Sequence, residues 1–245
     1  MKQSEFTVLS NQCIALSTYR MCLEGDTSDI RCPGQFVNLT VEGFFLRRPF
    51  AVQKWDAKTM TLIYKVVGEG TEKLSKMEAG QTVQCLVGLG NGFDASACHR
   101  DALVICGGLG ASPAFSLTKQ LVLSGKNVTV ILGFNTSSEI VLYDEYRALG
   151  ADVRIVTMDG SNGLKGLVTD AVDALNPRYD YFYTCGPKVM MKAVCEKLTT
   201  GGEASLEERM GCGCGICYGC TCHTKHGPAR VCVDGPVFKK EDIVW

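Results

Sequence analysis

The sequence predicts a multidomain protein: an all-β antiparallel barrel joined to an α/β domain with a parallel sheet, ending in a small cysteine-rich module. Three observations predict it. Short alternating apolar segments punctuated by glycine fill residues 1–98. Continuous apolar runs then alternate with helical stretches over residues 99–202. Six of the fourteen cysteines crowd into residues 203–245. A chain of 245 residues has room for two domains and a module, and 46% hydrophobic residues are enough to fill their cores.

In the first part, Phe36-Val37-Asn38-Leu39-Thr40-Val41 and Leu62-Ile63-Tyr64-Lys65-Val66-Val67 alternate as half-buried strands. Gly34, Gly43, Gly68, Gly70, Gly80 and Gly88 separate such segments, which is the pattern of a barrel or sandwich. Arg47-Arg48-Pro49-Phe50-Ala51-Val52 sets a guanidinium and an aromatic ring at a strand start, where they suit a phosphate and a ring system. Gly68-Glu69-Gly70-Thr71 offers N–H groups and a hydroxyl to a second phosphate. Either segment alone is equally an ordinary surface turn.

The second part reads as strand 102–106, helix 114–124, strand 128–133, helix 138–149, strand 152–157, helix 168–175, strand 179–184 and helix 188–198, with Gly201-Gly202 as a hinge. Gly107-Gly108-Leu109-Gly110-Ala111-Ser112-Pro113 links the first strand to the first helix. There Gly107, Gly108 and Gly110 let the backbone approach a pyrophosphate at a helix N-terminus. Pro113 replaces the third glycine of the full dinucleotide fingerprint, so a plain tight turn stays open as a reading. Thr184-Cys185-Gly186-Pro187 ends a later strand at the carboxyl edge of the sheet, which makes Cys185, Gly186 and Pro187 candidates to face a reacting ring, although a Cys-Gly-Pro loop taken alone is more often structural. No arginine follows the second strand in Gly133–Ser138 to pair a 2′-phosphate, which favours NAD over NADP unless Arg147 or Arg154 folds back.

The third part contains Cys212-x4-Cys217-x2-Cys220-x11-Cys232. The first three have the plant-type spacing for a 2Fe–2S cluster, and Cys232 supplies the distal fourth. Gly211, Gly213, Gly215 and Gly219 let a loop close around an inorganic core. Cys214 and Cys222 are left over. Cys214-x2-Cys217-x2-Cys220 resembles a 4Fe–4S run but lacks its next cysteine, because Thr224 and Lys225 stand there. A zinc site using His223 or His226 remains a rival, as does a redox-sensing thiol module. The eight cysteines outside this part are scattered, as expected of free thiols in a reducing cytoplasm. A net charge of −1 gives no electrostatic case for nucleic acid or an anionic membrane. Met1–Glu5 carries no apolar signal, and no uncharged run reaches membrane-spanning length, so a cytoplasmic protein is expected.

Taken together, these segments resemble flavin reductases of the ferredoxin–NADP reductase type. The resemblance is stronger to the electron-transfer subunits of NAD-dependent dihydroorotate dehydrogenases. Pro33-Gly34-Gln35-Phe36, Leu46-Arg47-Arg48-Pro49, Gly68-Glu69-Gly70-Thr71, Leu89-Gly90-Asn91-Gly92-Phe93, Asp159-Gly160-Ser161, Lys165-Gly166, Glu208-Arg209-Met210 and Arg230–Phe238 carry it, in the same order along nearly the whole chain. The resemblance implies an FAD-binding barrel, with Arg48, Pro49, Phe50, Ala51, Ile63, Tyr64 and Lys65 along the flavin and Gly70 and Thr71 at its pyrophosphate. It implies an NAD-binding domain and 2Fe–2S ligation by Cys212, Cys217, Cys220 and Cys232. It also implies an obligate FMN-containing catalytic subunit that oxidises dihydroorotate, in a heterotetramer with two copies of each chain. Related subunits serve ferredoxin:NAD(P) reductases, sulfite reductases and hydrogenases, and they share most of these motifs. Ala51 stands where the family usually has serine or threonine, so a hydroxyl able to bond the flavin is missing.

Overall fold

The computed structural model describes residues 1–245. Six strands, β1 (Lys2–Ala15), β2 (Thr18–Glu24), β3 (Phe36–Leu39), β4 (Arg48–Trp55), β5 (Thr59–Lys65) and β6 (Thr82–Leu89), close a barrel in the order β1-β2-β5-β4-β3-β6. Every pair is antiparallel. Alternate residues point inward: Phe6 and Val8, Met21 and Leu23, Val37 and Leu39, Met60 and Leu62 are all buried. Each such side chain contributes roughly 1.5–3 kcal/mol by leaving water. This two-residue period makes the barrel predictable from sequence. A short helix, α1 (Glu69–Ser75), follows β5, and its Leu74 caps the barrel core.

The second sheet takes β7 (Asp101–Gly107), β8 (Asn127–Phe134), β9 (Asp152–Thr157), β10 (Leu164–Lys165) and β11 (Tyr181–Cys185), with α2 (Pro113–Leu123), α3 (Tyr143–Ala148), α4 (Val168–Leu175) and α5 (Lys188–Lys197) between them. It also takes β12 (Gly202–Ser205). A hairpin of β13 (Thr221–Thr224) and β14 (Gly227–Arg230) precedes the last strand, β15 (Val237–Lys239). The order is β10-β9-β8-β7-β11-β12-β15, and only β15 runs antiparallel to its neighbour. Both faces are covered. Val104 and Cys106 pack with Leu117, Leu121 and Tyr146, while Leu103 and Ile105 pack with Val168, Val172, Met191 and Val194. A strand buried on both sides reads as a continuous apolar run, as Ala102–Cys106 does.

Two features differ from the expected pattern. The helix expected over 138–149 is broken into a 3-10 turn at Ser137–Glu139 and α3, because Leu142 adopts a left-handed φ of 63° between them. The sheet also does not stop at the hinge. Its outer strands β12 and β15 bracket the cysteine segment, and Cys220, Cys222, Val231 and Cys232 share one core with α4 and α5. The barrel docks onto the α/β domain through Lys65 and Glu139 (2.7 Å), Arg20 and Glu145, and the Leu16 N–H donating to the Ser138 carbonyl (3.1 Å).

Candidate functional site

The cysteine segment folds as a loop that turns its amides toward sulfur. Gly213 and Gly215 take φ of +67° and +87°, and Tyr218 takes +57°, so the backbone curls back on itself. The N–H groups of Cys214, Ile216 and Cys217 donate to Cys212 Sγ at 3.3–3.4 Å. Those of Cys212 and Gly219 donate to Cys217 Sγ, and that of Cys232 to Cys220 Sγ, all at 3.4 Å. Burial alone would raise the Cys212 thiol, yet these donors bring it down to about 6, which favours the thiolate that iron requires. Burial, with Cys220 beside it, pushes Cys232 up to about 12. Cys220 and Cys232 are buried, whereas Cys217 lies at the surface beside exposed Ile216 and Tyr218. The N–H···Sγ bonds link Cys212 with Cys217 and Cys220 with Cys232, two thiol pairs whose soft donors suit iron. No three His, Cys, Asp or Glu side chains surround a point where a single ion could sit. Of the surplus thiols, Cys222 is a core residue, while Cys214 sits in the loop with its N–H on Cys212.

Directly before this loop, the chain lines a cavity of about 190 Å³ where all three parts meet. The barrel contributes Phe36, Pro49, Phe50 and Ala51, the α/β domain Pro113 and Cys185, and the lead-in to the loop Ser205, Glu207, Glu208 and Met210. The glycines of the resemblance now have structural reasons. A Cβ on Gly70 would meet Arg48 Nε at 2.6 Å, so the guanidinium lies flat against the start of α1. Arg48 also donates to the Leu46 carbonyl (2.6 Å) and covers the Phe44 ring at 4.9 Å. Glu207 is reached by solvent through the cavity yet is ringed by protein, and this desolvation raises its carboxyl above the ordinary range.

A second cavity, about 340 Å³, opens at the carboxyl ends of β7, β8, β9 and β11, and the strand order reverses between β7 and β11. Gly107, Gly108 and Pro187 line it, with Phe134, Met158, Leu167 and Met190 as apolar walls. Glu139 is the one charged side chain on its lining. Its Oε2 accepts from Asn135 Nδ2 (2.8 Å) and its Oε1 from Lys65 (2.7 Å), and Lys65 holds its carboxyl below the ordinary value.

The structure does not gather all of the expected residues into these cavities. Gly110 is a packing residue, since a Cβ there would lie 2.1 Å from the Cys185 carbonyl oxygen. Gly186 likewise packs on Gly107. On β5 the side chains diverge: Ile63 enters the core of the α/β domain, Lys65 pairs with Glu139, and Tyr64 fills the barrel. The Tyr64 hydroxyl donates to Asn11 Oδ1 (2.9 Å), and its ring lies 5.4 Å from that of Phe50. The Thr71 hydroxyl accepts from the Val67 and Gly68 N–H groups, so it closes its own turn. Cys185 is buried and touches the first cavity rather than the second. Sequence reasoning missed Glu139, Ser205 and Glu207. Only Glu207 gave a signal, by standing next to Glu208-Arg209-Met210.

Two segments of the chain match known family models. A family model described as the iron–sulfur cluster binding domain of dihydroorotate dehydrogenase B matches residues 207–244, and one described as an oxidoreductase NAD-binding domain matches 104–196. The chain is 42% identical to the dihydroorotate dehydrogenase B (NAD(+)) electron transfer subunit of Geobacillus sp. (strain WCH70), covering 100% of this chain and 99% of that one. It is 38% identical to the same subunit of Fusobacterium nucleatum, covering 99% of each. Among solved structures, a chain of an NADH-dependent reduced ferredoxin-NADP oxidoreductase superposes with a TM-score of 0.90 at 28% identity, over 98% of this chain and 90% of that one. A ferredoxin NADP+ reductase from Neisseria gonorrhoeae shares the fold at a TM-score of 0.69 and 22% identity, over 80% and 90%.

Proposed function

The chain belongs to the electron transfer subunits of dihydroorotate dehydrogenase B, and from that membership we propose that it passes electrons from a dihydroorotate-oxidising catalytic subunit through an iron–sulfur cluster and FAD to NAD+. The observation that carries this reading is the cavity shared by barrel, α/β domain and cluster lead-in, since one flavin there would face both a nicotinamide and a cluster. FAD supplies the exchange between a two-electron hydride and single electrons.

The chain's own residues would hold and orient these groups. Pro49, Phe50 and Ala51 wall the ring site, and Arg48 stands ready for its phosphates with the Gly70 backbone against it. Cys185, Gly186 and Pro187 form the turn between the two cavities, and Gly107 and Gly108 present the backbone to a dinucleotide pyrophosphate. Cys212, Cys217, Cys220 and Cys232 would ligate the 2Fe–2S cluster, with the loop amides stabilising the sulfur charge. With exposed Ile216 and Tyr218 beside it, the exposed Cys217 side of the loop would face the partner. We further propose that this partner carries FMN, that two copies of each chain assemble, and that the complex works in the cytoplasm, where fourteen unpaired cysteines stay reduced.

The superposition with a ferredoxin-NADP oxidoreductase chain supports a second reading, in which the same relay serves another redox partner. Anaerobic co-expression with an FMN-containing dihydroorotate dehydrogenase subunit separates the two. NADH formation from dihydroorotate that requires both chains is the expected result. If NADH reduces dyes through this chain while dihydroorotate yields nothing, the relay stands and the partner is wrong. Cys217→Ser should keep FAD and dye reduction while abolishing transfer to the partner, and normal transfer in that variant would sink the relay.

A further inference from the structure

Two stretches supply the cluster cysteines, and one side chain joins them. Arg230 lies two residues before Cys232, at the end of β14. Its Nη1 donates to the Gly215 carbonyl at 3.0 Å, in the middle of the loop that holds Cys212, Cys217 and Cys220. Its guanidinium covers the Tyr218 ring at 5.1 Å, on the same loop. From the other side Asp234 fixes it, accepting from Arg230 Nε at 3.1 Å and from the Arg230 backbone N–H at 2.8 Å. Asp234 belongs to a return segment that is itself anchored. Asn91, just beyond the end of β6, exchanges bonds with Val237 at 2.8 and 2.9 Å, and its own N–H donates to the Gly235 carbonyl at 2.6 Å. A permanent positive charge is therefore held between the two halves of the cysteine set by partners that leave it little freedom.

Reduction adds one unit of negative charge to a cluster that is already anionic through its four thiolates. A fixed guanidinium held against the loop that carries the thiolates stabilises the reduced form more than the oxidised one, and a carboxylate there does the opposite. We propose that Arg230 is a positioning and tuning residue, which clamps the cluster loop to the return segment and raises the reduction potential of the cluster, with Asp234 aiming it and opposing part of its charge. This rests on the reading of Cys212, Cys217, Cys220 and Cys232 as ligands.

The test uses the purified chain with its FAD and cluster, read by iron and sulfide content, the electron paramagnetic resonance signal of the reduced cluster, and a redox titration. Arg230→Gln should lower the ratio of reduced to oxidised cluster at a fixed potential by about tenfold, or about 59 mV for a one-electron couple. Arg230→Lys, which keeps the charge, should stay near the parent. Asp234→Asn should shift the ratio in the opposite direction to Arg230→Gln. A purely structural role would instead lower cluster content in both neutral variants with no opposed shifts. An unmoved potential in Arg230→Gln, or shifts of one sign in Arg230→Gln and Asp234→Asn, overturns the proposal. Should Arg230→Gln hold no cluster, Asp234→Asn decides alone: a raised potential supports the proposal and an unmoved or lowered one overturns it. If the parent chain contains no iron or sulfide, the ligand reading falls first and the proposal with it.

Discussion

Glu203 and Glu139 are both largely shielded carboxylates, and they answer to pH in opposite ways. Burial raises Glu203 to about 7 from an ordinary 4.5, outweighing the Asp94 N–H that donates to it at 3.0 Å. A carboxyl raised on folding stabilises fully below its unfolded value, and that contribution is lost as pH climbs through the folded one. Stability should therefore decline between about pH 4.5 and 7, by up to about 3 kcal/mol. Glu203→Gln should remove that slope, as read from urea midpoints across the range. Glu139, depressed by Lys65, contributes above its unfolded value and loses that contribution as acid protonates it. At Gly110, alanine would drive a methyl to 2.1 Å from the backbone oxygen of Cys185, which cannot swing away. Gly110→Ala should cost about 3 kcal/mol or more and disturb both cavities, measurable as a lowered melting midpoint with weakened FAD retention. Such residues are hard to see in sequence. Cysteine spacing is a local record of chemistry, whereas the burial of Glu203 and the contact at Gly110 exist only once distant strands have met.

Whole elements were legible where local chemistry and tertiary packing agree. Ala102–Cys106, Val128–Gly133 and Asp152–Thr157 are apolar or alternating, and each lies in a strand of the sheet. Gly202-Glu203-Ala204-Ser205 has no β-branched or aromatic residue, yet it forms β12 because Tyr181–Cys185 and Val237–Lys239 offer ladders on both sides. The helix expected over 138–149 survives only as α3, because nothing in Ile140-Val141-Leu142 signals the left-handed residue that breaks it. The docking of barrel on α/β domain was invisible for the same reason, since Lys65 looks like a solvated strand residue until Glu139 is placed beside it. That pair is partly exposed, so its loss has a modest expected cost. Glu139→Ala should lower stability by about 1 kcal/mol, and it should quicken amide exchange at Asn135, whose N–H and side chain both donate to Glu139.

At the scale of the molecule, the succession of barrel, parallel sheet and cysteine-rich segment could be read from the chain, but the way the third part is built into the second could not. Cys220, Cys222 and Cys232 share a core with Met191, Val194 and Leu198, so the cluster segment and the sheet edge stand or fall together. Removing iron from the purified protein with a chelator should loosen residues 211–239 and the β12–β15 edge while leaving the barrel protected. Hydrogen exchange followed by mass spectrometry checks this, and barrel strands that open at the same rate would count against it.

β15 also follows all four cluster cysteines in the chain while closing a sheet whose other strands precede them. A ribosome thus delivers the barrel and six of seven sheet strands before the strand that seals them, and β12 waits as a bare edge during that interval. Chains cut short before Val237 would keep that edge open, so the segment from Val237 onward decides whether the sheet ends protected or adhesive.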